Sequence, residues 1–157
     1  MSHARGTPAG FARRVPKAEI HLHLEGSVEL PTLLRILRAR GENVGPEERA
    51  RLAALYSHRD FLDFLQNFRL LCSEIRRPED FGLITSELSR RLQDESVRYA
   101  EVFCSPAIFQ RLCGMPAGEI MDAVSAASRR REKEGGPRLR FLLDGAISAN
   151  GQTGTGR

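Results

Sequence analysis

Three short stretches of this 157-residue chain read as β-strands, and helical sequence separates each from the next. The first, residues 18–24, alternates strictly as Ala-Glu-Ile-His-Leu-His-Leu, the pattern of a strand with one covered face. The second runs from Val97 to Ser105, where Pro106 stops it, and the third from Leu139 to Leu143. A strand, helices, strand, helix, strand order predicts parallel βα units, because parallel neighbours need a crossover long enough to hold a helix. The expected fold class is therefore α/β.

The helices between the strands have their own punctuation. One opens near Pro31, with Leu30, Leu33, Leu34 and Leu37 in a single stripe and Gly41 closing it. Residues 42–58 are polar and read as helix or loop. Asp60 is placed to cap the next helix, in which Phe61, Phe64, Leu65, Phe68, Cys72 and Ile75 follow at helical spacing. Pro78-Glu79-Asp80 punctuates before a helix through Phe81, Leu83, Ile84, Leu88 and Leu92. Residues 117–133 form the last, with Ile120, Met121 and Val124 inward and a basic end that suits the helix dipole. Gly135-Gly136-Pro137 breaks it, and Asp144-Gly145 ends the third strand.

Composition excludes several classes. Hydrophobic residues make up 41% of the chain, enough to build a core, so disorder throughout is excluded. No apolar run approaches the roughly 20 residues of a membrane span. The stretch from Met1 to Pro16 is basic without an apolar centre, unlike a secretory signal. Cys72, Cys104 and Cys113 form no disulfide framework and are expected as free thiols in a cytoplasmic protein. The net charge of +4 sits in short clusters such as Arg76-Arg77 and Arg129-Arg130-Arg131. With no Trp and no aromatic residues between these arginines, they read as solvated helix faces, and no nucleic-acid partner is expected. Residues 1–15 are expected as a flexible leader, 16–147 as the folded part, and the small, polar residues 148–157 as a disordered or truncated tail.

The sharpest chemical feature is Glu19-Ile20-His21-Leu22-His23-Leu24-Glu25-Gly26-Ser27. Residues two apart in a strand point the same way, so His21 and His23 should project side by side, with Ile20, Leu22 and Leu24 on the opposite, covered face. Two imidazoles at that spacing can grip one metal ion. From the residues alone, metal binding and a pair of hydrogen-bonded strand histidines both remain open. Gly26 is expected to let the chain turn sharply after the pair. The phenylalanine stripe has two readings as well: a core face, or an apolar wall.

The run from Pro16 to Ser27, Pro-Lys-Ala-Glu-Ile-His-Leu-His-Leu-Glu-Gly-Ser, resembles the N-terminal signature of the adenosine and AMP deaminase family, within the amidohydrolase superfamily. The resemblance continues through residues 60–68 and 97–106 and covers roughly 15 to 145. It implies a partial (β/α)8 TIM barrel, the first three βα units of a metal-dependent hydrolase. It implies zinc, one ion per complete site, with His21 and His23 as the first two ligands and a zinc-activated water that attacks C6 of a 6-aminopurine and displaces ammonia. His23, Glu25, Phe64, Leu65 and Phe68 would face the substrate, Glu25 meeting a sugar hydroxyl and the phenylalanine helix walling the purine. The implied reaction is adenosine to inosine and ammonia, and the partner a small purine nucleoside. Many adenosine deaminases have Arg where this chain has Phe103, which keeps adenine and aminodeoxyfutalosine open as substrates. Glu101, on the same face as Phe103 and Ser105, is expected to make a structural ion pair or hydrogen bond.

A catalytic zinc needs about three protein ligands and a water, and besides His21 and His23 the chain has only His3 and His58. The family's further ligands and its His-Ala-Gly-Glu segment, which supplies the proton-shuttling Glu, do not occur here, so no catalytic residue is assigned within the chain. A TIM barrel usually takes about 250 residues. The chain is therefore expected to be an N-terminal fragment, inactive by itself. An inactive metal-binding or interaction module is the competing reading, and the oligomeric state is open.

Overall fold

Strand pairing organises residues 7–143, the residues that the computed structural model describes. β1 (Lys17–His23), β2 (Val97–Cys104) and β3 (Arg138–Leu143) form one sheet in the order β1-β2-β3, with both pairs parallel. The helices are α1 (Pro8–Arg14), α2 (Leu30–Ala39), α3 (Pro46–Ala54), α4 (Phe61–Ser73), α5 (Pro78–Asp94), α6 (Pro106–Cys113) and α7 (Ala117–Lys133). The parallel βα order expected from the sequence is the order observed.

β2 is the central strand, and its alternation sets the two faces of the sheet. Ala100, Val102 and Cys104 are buried in one core with Ile84 and Leu88 of α5 and Ile120 and Val124 of α7. Tyr99, Glu101 and Phe103 alternate with them and are only partly buried. On that second face Tyr99 pairs in register with Arg138, and Glu101 with Arg140. The Tyr99 hydroxyl donates to Glu101 Oε1 at 2.9 Å, the hydrogen bond expected of this carboxylate. Beneath the sheet, Phe81 of α5 meets Phe109 of α6 edge to face at 4.8 Å, both rings almost wholly buried.

A charged knot joins the early helices to α5. Arg40, at the end of α2, has a buried side chain that donates from Nη1 to the Glu74 carbonyl at 2.5 Å and to Asp80 Oδ2 at 3.2 Å. The same Asp80 oxygen accepts the N–H groups of Arg76 and Arg77 at 2.9 and 3.1 Å. One carboxylate thus satisfies the start of α5 and anchors the end of α2. Two glycines are required by geometry. Gly41 closes α2 with φ +79°, in the left-handed region. A Cβ on Gly136 would lie 2.8 Å from the Arg131 carbonyl oxygen, so only glycine lets the chain pass from α7 into β3.

The structure differs from the sequence reading in several places. Within the stretch expected as a flexible leader, Pro8–Arg14 is helical, capped by the Thr7 side chain accepting from Gly10 N–H at 3.1 Å, with no buried residue. The eight-residue helix α6 was not expected; its signal is Pro106 at the first helical position, after the strand it stops. Ile20 is not covered but 67% exposed. The reason is a break in register: Glu19 pairs with Ala100 and Leu22 with Val102, so β1 carries one more residue than β2 across that interval. Such a bulge breaks the alternation, whereas Leu24, beyond it, is fully buried. His3, the close of the folded part at residues 144–147 and the tail at 148–157 lie outside the described residues.

Arg40 also meets Glu42 Oε1 at 2.8 Å and Glu74 Oε2 at 3.9 Å, so Asp80→Ala strands the Arg76 and Arg77 N–H groups rather than the guanidinium. It should lower the unfolding free energy by about 1–3 kcal/mol, measured by urea denaturation. The thiols give a second check. Burial pushes Cys72 up to about 12 and raises Cys104 as well, while Cys113 is exposed. Iodoacetamide near pH 8 should add once to the folded chain, at Cys113, and three times in urea, read by intact mass.

Candidate metal centre

β1 ends at His23 because the following residues fold into a short 3₁₀ turn, Glu25–Ser27. Pairing with β2 continues one step beyond the strand, where Leu24 N–H donates to the Phe103 carbonyl at 2.9 Å. The imidazoles of His21 and His23 lie edge to face with ring centroids 5.4 Å apart, and both residues are exposed. The sequence expectation that the two rings stand side by side is met, although a bulge rather than a regular pleat places them. Gly26 lies within the 3₁₀ turn and outside the left-handed region, so the freedom expected of it is not what turns the chain.

A cavity of about 640 Å³ opens against this pair, lined by His21, Leu22, His23, Gly26 and Ser27 on one side and Phe61, Phe64, Leu65 and Phe68 on the other. α4 faces it because Asp60 starts the helix there, Oδ1 accepting Asp63 N–H at 2.8 Å. Along α4 the rings of Phe61, Phe64 and Phe68 stack in sequence at 6.1 and 5.9 Å. Phe61 is 70% and Phe64 39% exposed. The stripe thus divides: Leu71 and Cys72 belong to the core, while the first two turns form an apolar wall beside the imidazoles.

Glu25 stands apart from the cavity. Its side chain is buried, and Oε1 accepts the Ser105 N–H at 2.8 Å, tying the end of β1 to the end of β2. Burial pushes its carboxyl above the ordinary value of 4.5, opposed by backbone N–H donors and by the nearby His23. His58 also lies elsewhere, its ring against Phe64 at 5.3 Å and its Nδ1 3.3 Å from the Asn67 amide. The sequence reading brought Phe103 in only as a departure from the family pattern. In the structure its ring lies 5.0 Å from His21 and 5.2 Å from His23. The signal that could have found it is strand register, which makes Phe103 the partner of His23.

Neither imidazole makes a hydrogen bond to a described residue, so the ring nitrogens are free to ligate. The donor set suits zinc at two positions. Among the described residues no group of three or more His, Cys, Asp or Glu side chains could hold a metal. The pair offers two donors.

The family model described as adenosine deaminase matches residues 16–149. An aminodeoxyfutalosine deaminase of Streptomyces coelicolor is 34% identical over 135 residues, 85% of this chain and 34% of that protein. An adenine deaminase of Cupriavidus pinatubonensis is 31% identical over 122 residues, 78% of this chain and 34% of that protein. The crystal structure of an amidohydrolase from Burkholderia ambifaria, with bound zinc, matches with a TM-score of 0.71 and 25% identity, covering 91% of this chain and 38% of that one. The chain therefore spans about a third of the length of the curated relatives it matches. Its three strands and their helices are part of a TIM-barrel amidohydrolase fold.

The Glu25–Ser105 tie has a measurable weight. Glu25→Ala leaves the Ser105 N–H buried without an acceptor and should cost about 1–3 kcal/mol of stability. Glu25→Gln keeps an acceptor and should cost less, both read from urea unfolding midpoints.

Proposed function

Because the chain belongs to the adenosine deaminase family, we propose that it carries the opening part of a zinc-dependent hydrolytic deaminase acting on a 6-aminopurine. The observation that carries this reading is the His21–His23 pair set over an apolar cavity at the end of the first strand. His21 and His23 would hold the metal. When bound, zinc supplies a Lewis acid and lowers the pKa of water.

The chain's own residues have separate tasks in this reading. Phe64, Leu65 and Phe68 offer a flat apolar wall to a purine ring and exclude water from one side of the cavity, which strengthens electrostatics at the imidazoles. His23 borders both the metal position and the substrate space. Glu25 is the proposed sugar contact, its carboxylate held at the turn after His23 by the Ser105 N–H.

The finer reading of the substrate is adenosine, converted to inosine and ammonia. The names of the relatives support two alternatives, adenine and aminodeoxyfutalosine. That the chain spans about a third of the length of its relatives supports a chain that is inactive alone. No helix of the described residues is long and apolar enough to cross a membrane. A cytoplasmic location is proposed from the free thiols.

Two experiments test this reading. The chain incubated with zinc should release no ammonia from adenosine, adenine or aminodeoxyfutalosine; steady release that a chelator stops would overturn its inactivity. Joined to the remaining two thirds of an adenine deaminase relative, the chain should support chelator-sensitive ammonia release. His21→Ala or His23→Ala should then lower activity by about a hundredfold or more. Full activity without both imidazoles would overturn the metal assignment.

A further inference from the structure

A metal-binding imidazole ordinarily owes its orientation to a hydrogen bond from its second nitrogen to a carboxylate, carbonyl or water. His21 and His23 have no such bond to a described residue. The backbone does not replace it, because the register break between Glu19 and Leu22 removes the regular pleat at His21. One described aromatic side chain touches both rings. Phe103 lies 5.2 Å from His23 with the planes 20° apart, a stack, and 5.0 Å from His21 with the planes tilted by 47°. Its place is set by backbone pairing on both sides rather than by the imidazole rings: it is the register partner of Leu142 in β3 and of His23 in β1, and its carbonyl accepts the Leu24 N–H at 2.9 Å.

We propose that Phe103 is a positioning residue that holds the two imidazoles in the mutual orientation needed to share one cation. The inference rests on the reading of His21 and His23 as metal ligands. Without the ring, the imidazoles keep only their mutual edge-to-face contact at 5.4 Å, and the pair must be ordered further when the cation arrives. With it, that ordering is done in advance. Two aromatic contacts of this kind are together worth about tenfold in the population of the held arrangement. An aromatic support fixes the plane of each ring while leaving its nitrogens without a hydrogen-bond partner among the described residues.

The test titrates zinc into the 157-residue chain and into Phe103→Leu, Phe103→Tyr and His21→Ala, by competition with a chromophoric chelator. Thermal unfolding and the imidazole proton signals in the absence of metal are recorded for each. Phe103→Leu should stay folded, bind zinc about tenfold more weakly and lose the ring-current displacement of the His23 signals. Phe103→Tyr should restore both, and His21→Ala should abolish binding. A parent chain that binds zinc while Phe103→Leu binds it equally well overturns the role of Phe103 alone. A folded Phe103→Tyr as impaired as Phe103→Leu also overturns it. A parent chain that binds no zinc overturns the role of Phe103 as stated, while the metal reading stands or falls with His21→Ala and His23→Ala in the joined chain. If Phe103→Leu unfolds, Phe103→Tyr decides: affinity and displaced signals kept support the role, and either one lost overturns it.

Discussion

The parallel pairing of β1 with β2 is the interaction on which the candidate centre depends. Each functional contact is a consequence of it. Register sets His23 beside Phe103, and one further backbone bond carries the pairing to Leu24. Two residues past His23, the Glu25 carboxylate reaches the Ser105 N–H at the end of β2. The strand ends are thus tied by backbone, carboxylate and stacked rings within a few residues, all at the C-terminal edge of the sheet, where parallel α/β folds bind ligands.

Much of this was legible in the residues. Hydrophobic period located the three strands and the helices through Leu33, Phe81 and Ile120, because each element buries one stripe and the stripe is written in the sequence. Asp60 announced its helix, since a cap is a local interaction. The histidine pair was legible because its spacing is short. What local pattern could not give was anything decided by a second strand. The exposure of Ile20 follows from a register break against β2, and the burial of Glu25 from a backbone donor eighty positions along the chain. The contact of Phe103 with both imidazoles is of the same kind. The phenylalanine stripe was ambiguous for a different reason: a helix that lines a cavity and one that fills a core share a period, and α4 does both along its length.

The two sides of the cavity divide the labour physically. The strand side brings polar nitrogens held by aromatic contact, and the helix side brings apolar surface alone. Charge borders the cavity only at its edges: Arg59 pairs with Asp63 at the start of α4, and Arg91, paired with Glu29, donates to the Ser27 carbonyl. Among the described residues, no carboxylate lines the cavity beside the imidazole pair. The nearest carboxylate, Glu25, is buried behind His23 and bound to the Ser105 N–H.

The extra residue in β1 makes the segment from Glu19 to His23 indivisible. Adding or removing one position here would slip the register and turn the side chains beyond it to the other face. Evolution can exchange side chains here, but it cannot change the length of the segment without dismantling the pair.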